Sequence, residues 1–240
     1  MTAFPVKQNR YPPKLTLVIG NKNYSSWSLR PWLAMAANNI PFAEVLIQLD
    51  QSNTRQLALQ YSPTGKVPAL KFGTLMIWES LAIIEYVADR HPEAGLWPAD
   101  PDRRGLARAL ASEMHCGFQA LRSHCPMNLR RKATRRLSPE AEQDVMRLTN
   151  YWRRFRAEAA SEGDFLFGKF GAVDAMFAPV ATRIRSYEIP VDQASNDYID
   201  AIYALPAFKK WFDAGTAEPW RIPAVDNIDK PQATGTPARR

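Results

Sequence analysis

"GKVPALKFGTLMIWESLAIIEYVADRHP" occupies residues 65–92 and predicts two short strands followed by a helix. The runs VPALKF and LMIW are rich in apolar residues, and the turn residues Gly73-Thr74 separate them, which is typical of a hairpin. From about residue 79 to about residue 90, apolar side chains recur with helical spacing. This stretch therefore predicts a ββα unit.

The residues before this unit alternate between strand-like and helical patterns. Strands are predicted at 14–20 and 43–49, with a helix from about 26 to 38 between them and a helical or irregular piece at 52–61. Together with the ββα unit, they predict an α/β domain over residues 14–92 in the order βαβ-ββα.

The chain changes character after residue 92. Residues 91–101, HPEAGLWPADP, contain three prolines and one glycine and are typical of a linker. Strand signals are absent beyond it, so an all-α domain is predicted over residues 102–220. Its predicted helices cover 102–131, 139–161, 173–186, 192–204 and 206–215. Residues 1–13 and the Pro-, Thr- and Ala-rich residues 223–240 are predicted to be flexible termini.

The composition is that of an ordinary folded protein. The 240 residues are 46% hydrophobic, which is enough for two cores without disulfide or metal support. The two cysteines, Cys116 and Cys125, form neither a metal-ligand pattern nor a disulfide framework, which indicates a reducing compartment. With no secretory signal in residues 1–13 and no apolar run that could span a bilayer, we expect a soluble cytoplasmic protein.

The net charge of +7 favours anionic partners. Part of the excess lies in NLRRKATRR, residues 128–136, which raises the possibility of nucleic-acid binding. No aromatic residue is interleaved and no nucleic-acid motif accompanies the run, so it is interpreted as a solvated bend between two helices.

A cluster of serines precedes the first predicted helix, in NKNYSSWSLRPWLAM, residues 21–35. Apolar residues at Leu29, Trp32, Leu33 and Ala36 form one helical face, and Pro31 belongs in a first turn. The serines thus stand at a helix N-terminus. There, they either cap the helix or donate to an anion held by the unpaired backbone N–H groups.

Four features together resemble the glutathione S-transferase family: the serine cluster, the Val-Pro strand entry, Glu79-Ser80 at a helix start, and the two-domain order. The resemblance is to the serine-type branch near the zeta class, which is maleylacetoacetate isomerase-like. Ser25, Ser26, Ser28 and Arg30 match its Ser-Ser-x-Ser-x-Arg pattern. The resemblance implies a thioredoxin-like N-terminal domain, an all-helical C-terminal domain, glutathione as co-substrate and a homodimer.

The resemblance assigns roles in glutathione binding. It implies a cis Pro68 that lets the peptide dock on Val67, although an ordinary trans proline at a strand entry is the alternative. Ser80, with the helix N-terminus, would hold the γ-glutamyl carboxylate, and Glu79 would lie near the ammonium group, although ESLA is also a common helix start. Lys66 would meet a glutathione carboxylate or remain a solvated lysine.

The family's chemistry uses the thiolate of glutathione. A free thiol has a pKa of about 8.5, and a serine hydroxyl that donates to the sulfur stabilises the charged form by about 1.4 kcal/mol per pKa unit. The matched pattern makes Ser25 the first candidate for this donor and Ser26 the second. Ser28 is assigned to the glutathione site mainly as a helix cap.

The chain departs from the zeta pattern at several positions. Trp27 stands where zeta enzymes usually carry a cysteine, which argues against maleylacetoacetate isomerase activity but leaves glutathione binding intact. Gly171 replaces the hydroxyl residue of the family's Ser/Thr-x-x-Asp capping box, whose Asp174 is present, at a small expected cost. Ser186 aligns with the family's carboxylate-binding arginine, which makes the nearby Arg183 or Arg185 candidates for that role, or plain surface arginines.

The pocket for the second substrate, a small electrophile, is predicted along the fourth helix. Met114, Phe118 and Leu121 share a helical face and Arg122 follows, so that Met114, Phe118 and Arg122, with Arg183, would line it. An apolar stripe of this kind also suits plain core. Cys116 and Cys125 are interpreted as structural, and His115 and His124 as incidental. No metal site is predicted.

The function predicted is a glutathione transferase that conjugates, isomerises or reduces a small electrophile. The alternative is a non-catalytic protein of the same fold that acts through protein contacts.

Overall fold

The computed structural model describes residues 14–229, and its sheet has four strands in the order β2-β1-β3-β4. The strands are β1 Thr16–Ile19, β2 Ala43–Leu46, β3 Ala69–Phe72 and β4 Leu75–Trp78. β1 and β2 are parallel, whereas β3 runs antiparallel to both β1 and β4. A parallel pair needs a crossover connection, and helix α1, Ser26–Ala37, supplies it.

The N-terminal part is completed by two further helices, α2 Thr54–Ala58 and α3 Ser80–Arg90, and by a 3₁₀ turn at Pro92–Ala94. The predicted order βαβ-ββα is therefore confirmed, including the hairpin from β3 to β4.

The C-terminal part is helical. Its helices are α4 Pro101–Cys116, α5 Gln119–His124, α6 Pro139–Glu158, α7 Ala172–Ser186, α8 Gln193–Ala204, α9 Pro206–Ala217 and α10 Pro223–Asp226. Between residue 102 and residue 229 the only β pairing is an isolated bridge between Phe165 and Gly168. The predicted fold class is confirmed. The domain boundaries at 14–92 and 102–220 stay predictions.

The predicted helix over 102–131 is wrong, because the chain breaks after Cys116. Gly117 is extended and Phe118 is left-handed, with φ of 55°. Helix α5 then ends at His124, and residues 125–138 contain no helix. Glycine weakens a helix interior and a proline, here Pro126, opposes helix continuation, so the sequence contains the signals for this break.

The predicted flexible C-terminus is wrong for residues 223–229. They form α10 and a turn, and the carboxylates of Asp226 and Asp229 bond to residues of the chain between α5 and α6. Residues 1–13 and 230–240, the rest of the predicted termini, lie outside the described residues.

The basic run 128–136 is not a solvated bend. The guanidinium of Arg131 pairs with Asp229 and stacks on the Tyr187 ring, 4.4 Å from its centroid. Arg135 donates to the Ile228 carbonyl at 2.8 Å and to the Asp229 carboxylate at 2.7 Å. These charges hold the C-terminal residues in place, whereas Lys132 and Arg136 are exposed.

Helix α1 lies at the centre of the molecule, packed against the sheet side and against α7. Nine of its residues are buried, and the main hydrophobic core continues through it from the sheet into the helical part. Trp32 of α1 meets Trp211 of α9, with ring centroids 5.1 Å apart. The serine-bearing end of α1 therefore lies at the junction of the two parts.

Gly171 is required by its surroundings at the start of α7. A Cβ at this position would lie 2.8 Å from the Leu96 carbonyl oxygen, so the hydroxyl residue of the family's capping box has no room. Asp174 keeps its role, because its carboxylate accepts the N–H of Gly171 at 2.9 Å and of Leu166 at 3.1 Å. Glycine is therefore needed here because the linker residue Leu96 approaches the start of α7 closely, and the small loss of stability expected from the missing hydroxyl accompanies that contact.

Within residues 14–229, no helix combines the length and the apolar character needed to cross a membrane. The same residues contain no cluster of three or more His, Cys, Asp or Glu side chains suited to a metal ion.

Candidate active site

The three serines at the start of α1 lie together in one corner, the serine corner, in which Ser25 and Ser28 are hydrogen-bonded to each other. Ser25 is the N-cap: its hydroxyl oxygen accepts the backbone N–H of Ser28 at 3.4 Å. The same hydroxyl donates to Ser28 Oγ at 2.7 Å, and Ser28 Oγ also accepts the N–H of Gly20 at 3.1 Å. The assignment of the cap to Ser28 is therefore wrong. Ser26 is the first residue of α1, and all three serines are buried.

Beside this corner is a cavity of about 450 Å³ between the two parts of the chain. Its sheet-side wall consists of Thr64, Lys66, Val67, Pro68 and Glu79, and its helical wall of His115, Cys116 and Gln119. Trp27, between Ser26 and Ser28, completes the lining. Of the glutathione-site residues expected from the resemblance, Lys66, Val67, Pro68 and Glu79 line this cavity, whereas Ser25, Ser28 and Ser80 do not.

The sheet-side wall includes the peptide bond Val67-Pro68, which is cis. The trans alternative is excluded. Lys66 is exposed and Val67 is half-buried, and both line the cavity. The docking of a peptide on Val67 stays a prediction.

The start of α3 contributes two unusual residues. Glu79 is its N-cap and has a φ of 72° and a ψ of 129°, a conformation that side-chain-bearing residues rarely adopt and that concentrates at functional sites. Ser80 is completely buried, and its Oγ has no hydrogen-bond partner in the described chain. Ser80 does not itself line the cavity, but Glu79 beside it does. The Ser80 hydroxyl is a donor without a partner at a helix N-terminus, and such a donor suits a nearby anion.

His115 was interpreted as incidental, but it lines the cavity. Its Nε2 lies 3.7 Å from Glu79 Oε2, across the cleft. Burial and the nearby Arg30 lower the pKa of His115, against the opposing effect of Glu79, so the imidazole is mainly neutral at pH 7. His124 instead lies within hydrogen-bond distance of the Arg136 carbonyl, at 2.9 Å.

The two cysteines differ from each other. Cys116 is exposed and lines the cavity, so its interpretation as a structural residue is wrong. Its thiol donates to the Ser112 carbonyl at 3.1 Å. Cys125 is buried, and burial raises the pKa of its thiol to about 11, which fits a structural role.

The Trp27 ring contacts the guanidinium groups of two arginines. The guanidinium carbon of Arg30 lies 4.2 Å from the indole centroid and that of Arg122 lies 4.5 Å from it. Burial lowers the pKa of Arg30, and the charge of Arg122 lowers it further. The Nε and Nη1 atoms of Arg30 have no partner in the described residues. The tryptophan at this position thus makes cation–π contacts with two arginines.

The predicted second-substrate pocket is largely wrong. Met114 and Phe118 are core residues, 0% and 2% exposed, because the break at Gly117 turns Phe118 inward. Arg183 is buried, and its guanidinium donates to the Cys125 carbonyl at 2.9 Å, while the exposed Arg185 pairs with Asp200. Of the predicted set, only Arg122 lies near the cavity, through its contact with Trp27.

Comparison with known proteins identifies the N-terminal part. Residues 24–90 match the family described as glutathione S-transferase, N-terminal domain. The chain is 35% identical over 97 residues to a probable maleylacetoacetate isomerase of Caenorhabditis elegans, an alignment that covers 40% of this chain and 45% of that protein. A maleylacetoacetate isomerase of Pseudomonas aeruginosa is 35% identical over 113 residues, covering 45% and 53%. The chain thus spans about half the length of the curated relatives it matches.

Solved structures show the same fold over most of the chain. A Burkholderia glutathione transferase homolog with bound glutathione superposes with a TM-score of 0.64 at 23% identity, covering 85% of this chain and 99% of that one. Glutathione transferase Omega 3C from Trametes versicolor superposes with a TM-score of 0.63 at 20% identity, covering 88% and 92%. Residues 24–90 therefore match the N-terminal domain of the glutathione S-transferase family, and the described residues have the fold of solved glutathione transferases.

Proposed function

We propose that this protein is a glutathione transferase, which binds glutathione in the cavity and uses its thiolate to attack a small electrophile. The observation that carries the proposal is the sheet-side wall. One cavity joins Val67, the cis Pro68 and the positive-φ Glu79, next to the serine corner at the start of α1. The matched family domain at residues 24–90 and a solved structural neighbour with bound glutathione support it.

Each end of glutathione has a complementary group. The unpartnered Ser80 hydroxyl and the N-terminus of α3 suit the γ-glutamyl carboxylate, because both offer hydrogen-bond donors to an anion. Glu79 supplies a carboxylate for the ammonium group, and the exposed Lys66 a cation for the glycyl carboxylate. Val67 supplies backbone groups for the cysteinyl residue between them.

The chemistry rests on the hydroxyl of Ser25. In the free protein this hydroxyl donates to Ser28 Oγ. When a thiol arrives, Ser25 donates to the sulfur instead, and the Ser28 hydroxyl donates to Ser25 Oγ while still accepting from Gly20. Such a chain of hydrogen bonds strengthens the last donor and lowers the thiol pKa. The thiol proton leaves to solvent, and a sulfur lone pair forms the bond to the electrophilic carbon. With an aryl halide, the carbon–halogen bond then breaks and the halide leaves for solvent with its electron pair.

The helical wall suits the second substrate. His115, Cys116 and Gln119 face the sheet-side wall across the cavity, and the Trp27 ring, also in the lining, lies 5.1 Å from the His115 ring between centroids. This wall is polar, in contrast to the apolar stripe predicted from the sequence. Some relatives are named maleylacetoacetate isomerase. This chain has Trp27 where zeta enzymes usually carry a cysteine, so we do not expect it to favour that isomerisation. Conjugation is therefore the activity to test first.

The decisive experiment compares the wild type with Ser25→Ala, Ser26→Ala and Ser195→Ala, using a panel of electrophiles that includes an aryl halide. Ser195 is a buried serine of α8 and serves as the matched control. Losing the donor in Ser25→Ala should lower turnover about 10–100-fold and weaken glutathione binding much less. Ser26→Ala should have a smaller effect and Ser195→Ala none.

Two outcomes would reject parts of this proposal. Full turnover in Ser25→Ala would reject the assignment of Ser25 as the donor to the thiolate. Retention on immobilised glutathione without turnover of any electrophile would favour the alternative, a non-catalytic binding protein of this fold.

A homodimer is part of the proposal. β4 is an edge strand with large exposed apolar side chains, Leu75 at 45% and Trp78 at 42% exposure, and an edge of this kind favours association. Sedimentation of the wild type and of Trp78→Glu tests it, because the charged variant should shift the protein towards monomer. The cytoplasmic location stays a prediction.

A further inference from the structure

The loop that leads into Ser25 is hydrogen-bonded to residues 211–226 and to residues 128–130. The carboxylate of Glu218 accepts the backbone N–H of Lys22 at 2.7 Å and that of Asn23 at 3.2 Å. Glu218 is only 9% exposed, so one buried carboxylate satisfies two successive backbone donors. The indole N–H of Trp211 in α9 donates to the Lys22 carbonyl at 3.1 Å.

Tyr24, the residue directly before Ser25, is the centre of a second set of bonds. Its hydroxyl donates to Asp226 Oδ1 at 2.9 Å. The same oxygen accepts from Arg130 Nη2 at 2.8 Å and from the Ile222 N–H at 3.2 Å. A phenol that makes three bonds to residues about a hundred or more positions away is held in one place.

Arg130 joins these two sets. Its backbone N–H donates to Asn23 Oδ1 at 3.1 Å, and its guanidinium donates to the carbonyl groups of Glu218 and Trp220, the latter at 2.8 Å. Gly215 allows the close approach, because a Cβ there would lie 3.1 Å from the Asn23 nitrogen and 2.9 Å from Leu129 Cδ1.

We propose that residues 218–226, the C-terminal segment, position the Ser25 hydroxyl through the loop 22–24. The inference rests on the proposed function for its effect on chemistry. Ser25 donates its backbone N–H to the Asn21 carbonyl at 2.8 Å, and Ser26 donates to Tyr24 at 3.0 Å, so a displaced loop carries the hydroxyl with it. Hydrogen bonds weaken steeply with misalignment, and a displaced Ser25 stabilises the thiolate less.

The test uses two variants that loosen the loop from the C-terminal segment, Tyr24→Phe and Glu218→Gln. Asp229→Asn is the matched control. Its carboxylate also ties the end of the chain to arginines, Arg131 and Arg135, but it does not contact the loop. The measurements are the pKa of bound glutathione from thiolate absorbance against pH, kcat and KM for glutathione, the melting temperature, and hydrogen exchange of residues 22–28 without ligand.

Tyr24→Phe and Glu218→Gln should raise the thiol pKa by about one unit, which lowers kcat up to about tenfold at pH values below the thiol pKa and less as the pH rises through it. KM for glutathione should change less than about threefold, because the proposed binding residues are untouched. Hydrogen exchange of residues 22–28 should quicken in both variants. Asp229→Asn should keep the wild-type pKa, kcat and exchange, whatever its melting temperature.

The result that overturns the inference is an unchanged thiol pKa in both loop variants, or equal changes in Asp229→Asn. The exchange measurement needs no glutathione, so it tests the positioning of the loop even if the wild type binds none. If the wild type binds no glutathione, the proposed function fails. Unaltered hydrogen exchange in both loop variants would then separately reject the positioning of the loop by the C-terminal segment.

Discussion

The two walls of the cavity differ in how their residues are placed. On the sheet side, Val67, Pro68 and Glu79 belong to one continuous strand–hairpin–helix unit, so their relative positions follow from local geometry. On the helical side, His115, Cys116 and Gln119 face the cavity only because α4 ends at Cys116 and the chain turns at Gly117. This difference fits the proposed function, in which the sheet-side wall would bind glutathione and the helical wall would contact the electrophile.

The largest effect on glutathione binding is expected from Glu79→Gln. Removing the carboxylate that faces the glutathione ammonium group should weaken glutathione binding about 10–100-fold, as expected for a hydrogen bond to a charged group. Titration calorimetry measures the affinity. Glu93→Gln is the control, because Glu93 lies near His91 on the exposed 3₁₀ turn, outside the cavity. Equal affinity in wild type and Glu79→Gln would mean that the sheet-side wall does not bind the ammonium group.

A smaller effect on glutathione binding is expected from acid pH. It acts through His115, whose Nε2 is 3.7 Å from Glu79 Oε2 of the sheet-side wall. Since burial, with the charge of Arg30, lowers the pKa of His115, the imidazole is neutral at pH 7 and gains its proton only below the ordinary histidine value of about 6.5. The imidazolium would then face Glu79 and compete with the ammonium group, although Arg30 and Arg122 oppose its charge.

Glutathione affinity should therefore fall between about pH 7 and about pH 5 roughly threefold more in the wild type than in His115→Asn. His124→Asn should behave as the wild type, because His124 contacts Arg136 outside the cavity. Parallel pH curves for wild type and His115→Asn would show that the two walls act independently.

The smallest effect on glutathione binding is expected from Cys116→Ser, which should leave affinity within about twofold because Cys116 belongs to the helical wall. The thiol itself is a sensitive reporter. An alkylating reagent should modify Cys116 and spare Cys125, which is buried and has a pKa raised to about 11. Mass spectrometry of the native protein counts the modified thiols, and bound glutathione should slow the reaction. Rapid modification of Cys125 would contradict the packing around it.

The fold was largely predictable because its signals are local. The alternation of strand and helix patterns up to Arg90, the hairpin turn and the absence of strands afterwards all follow from residues within a few turns of one another. The break after Cys116 was missed because apolar spacing continued through Gly117 and Phe118, and the same error placed Phe118 in a pocket and His115 outside it. The helix break at Gly117 thus accounts for the difference between the predicted and the observed lining of the helical wall.

The serine corner shows a similar limit at smaller scale. The sequence predicted hydroxyls at a helix N-terminus, and Ser25, Ser26 and Ser28 lie there. Which serine caps the helix was decided by the turn at Asn21–Tyr24, where contacts with Glu218 and Asp226 shape the backbone. Those partners are about two hundred residues away, so no local pattern carries this information.

The sequence by itself determined the order of strands and helices and the place of the hydroxyls, because backbone preferences and hydrophobic spacing act over short distances. Lys66, Val67, Pro68 and Glu79 of the sheet-side wall were indicated by the family resemblance. Only the tertiary structure decided what faces the sheet-side wall, why Gly171 and Gly215 admit no side chain, and how the C-terminal segment holds the loop before Ser25. These depend on which distant surfaces pack together, and packing is settled by the shape and burial of the whole chain.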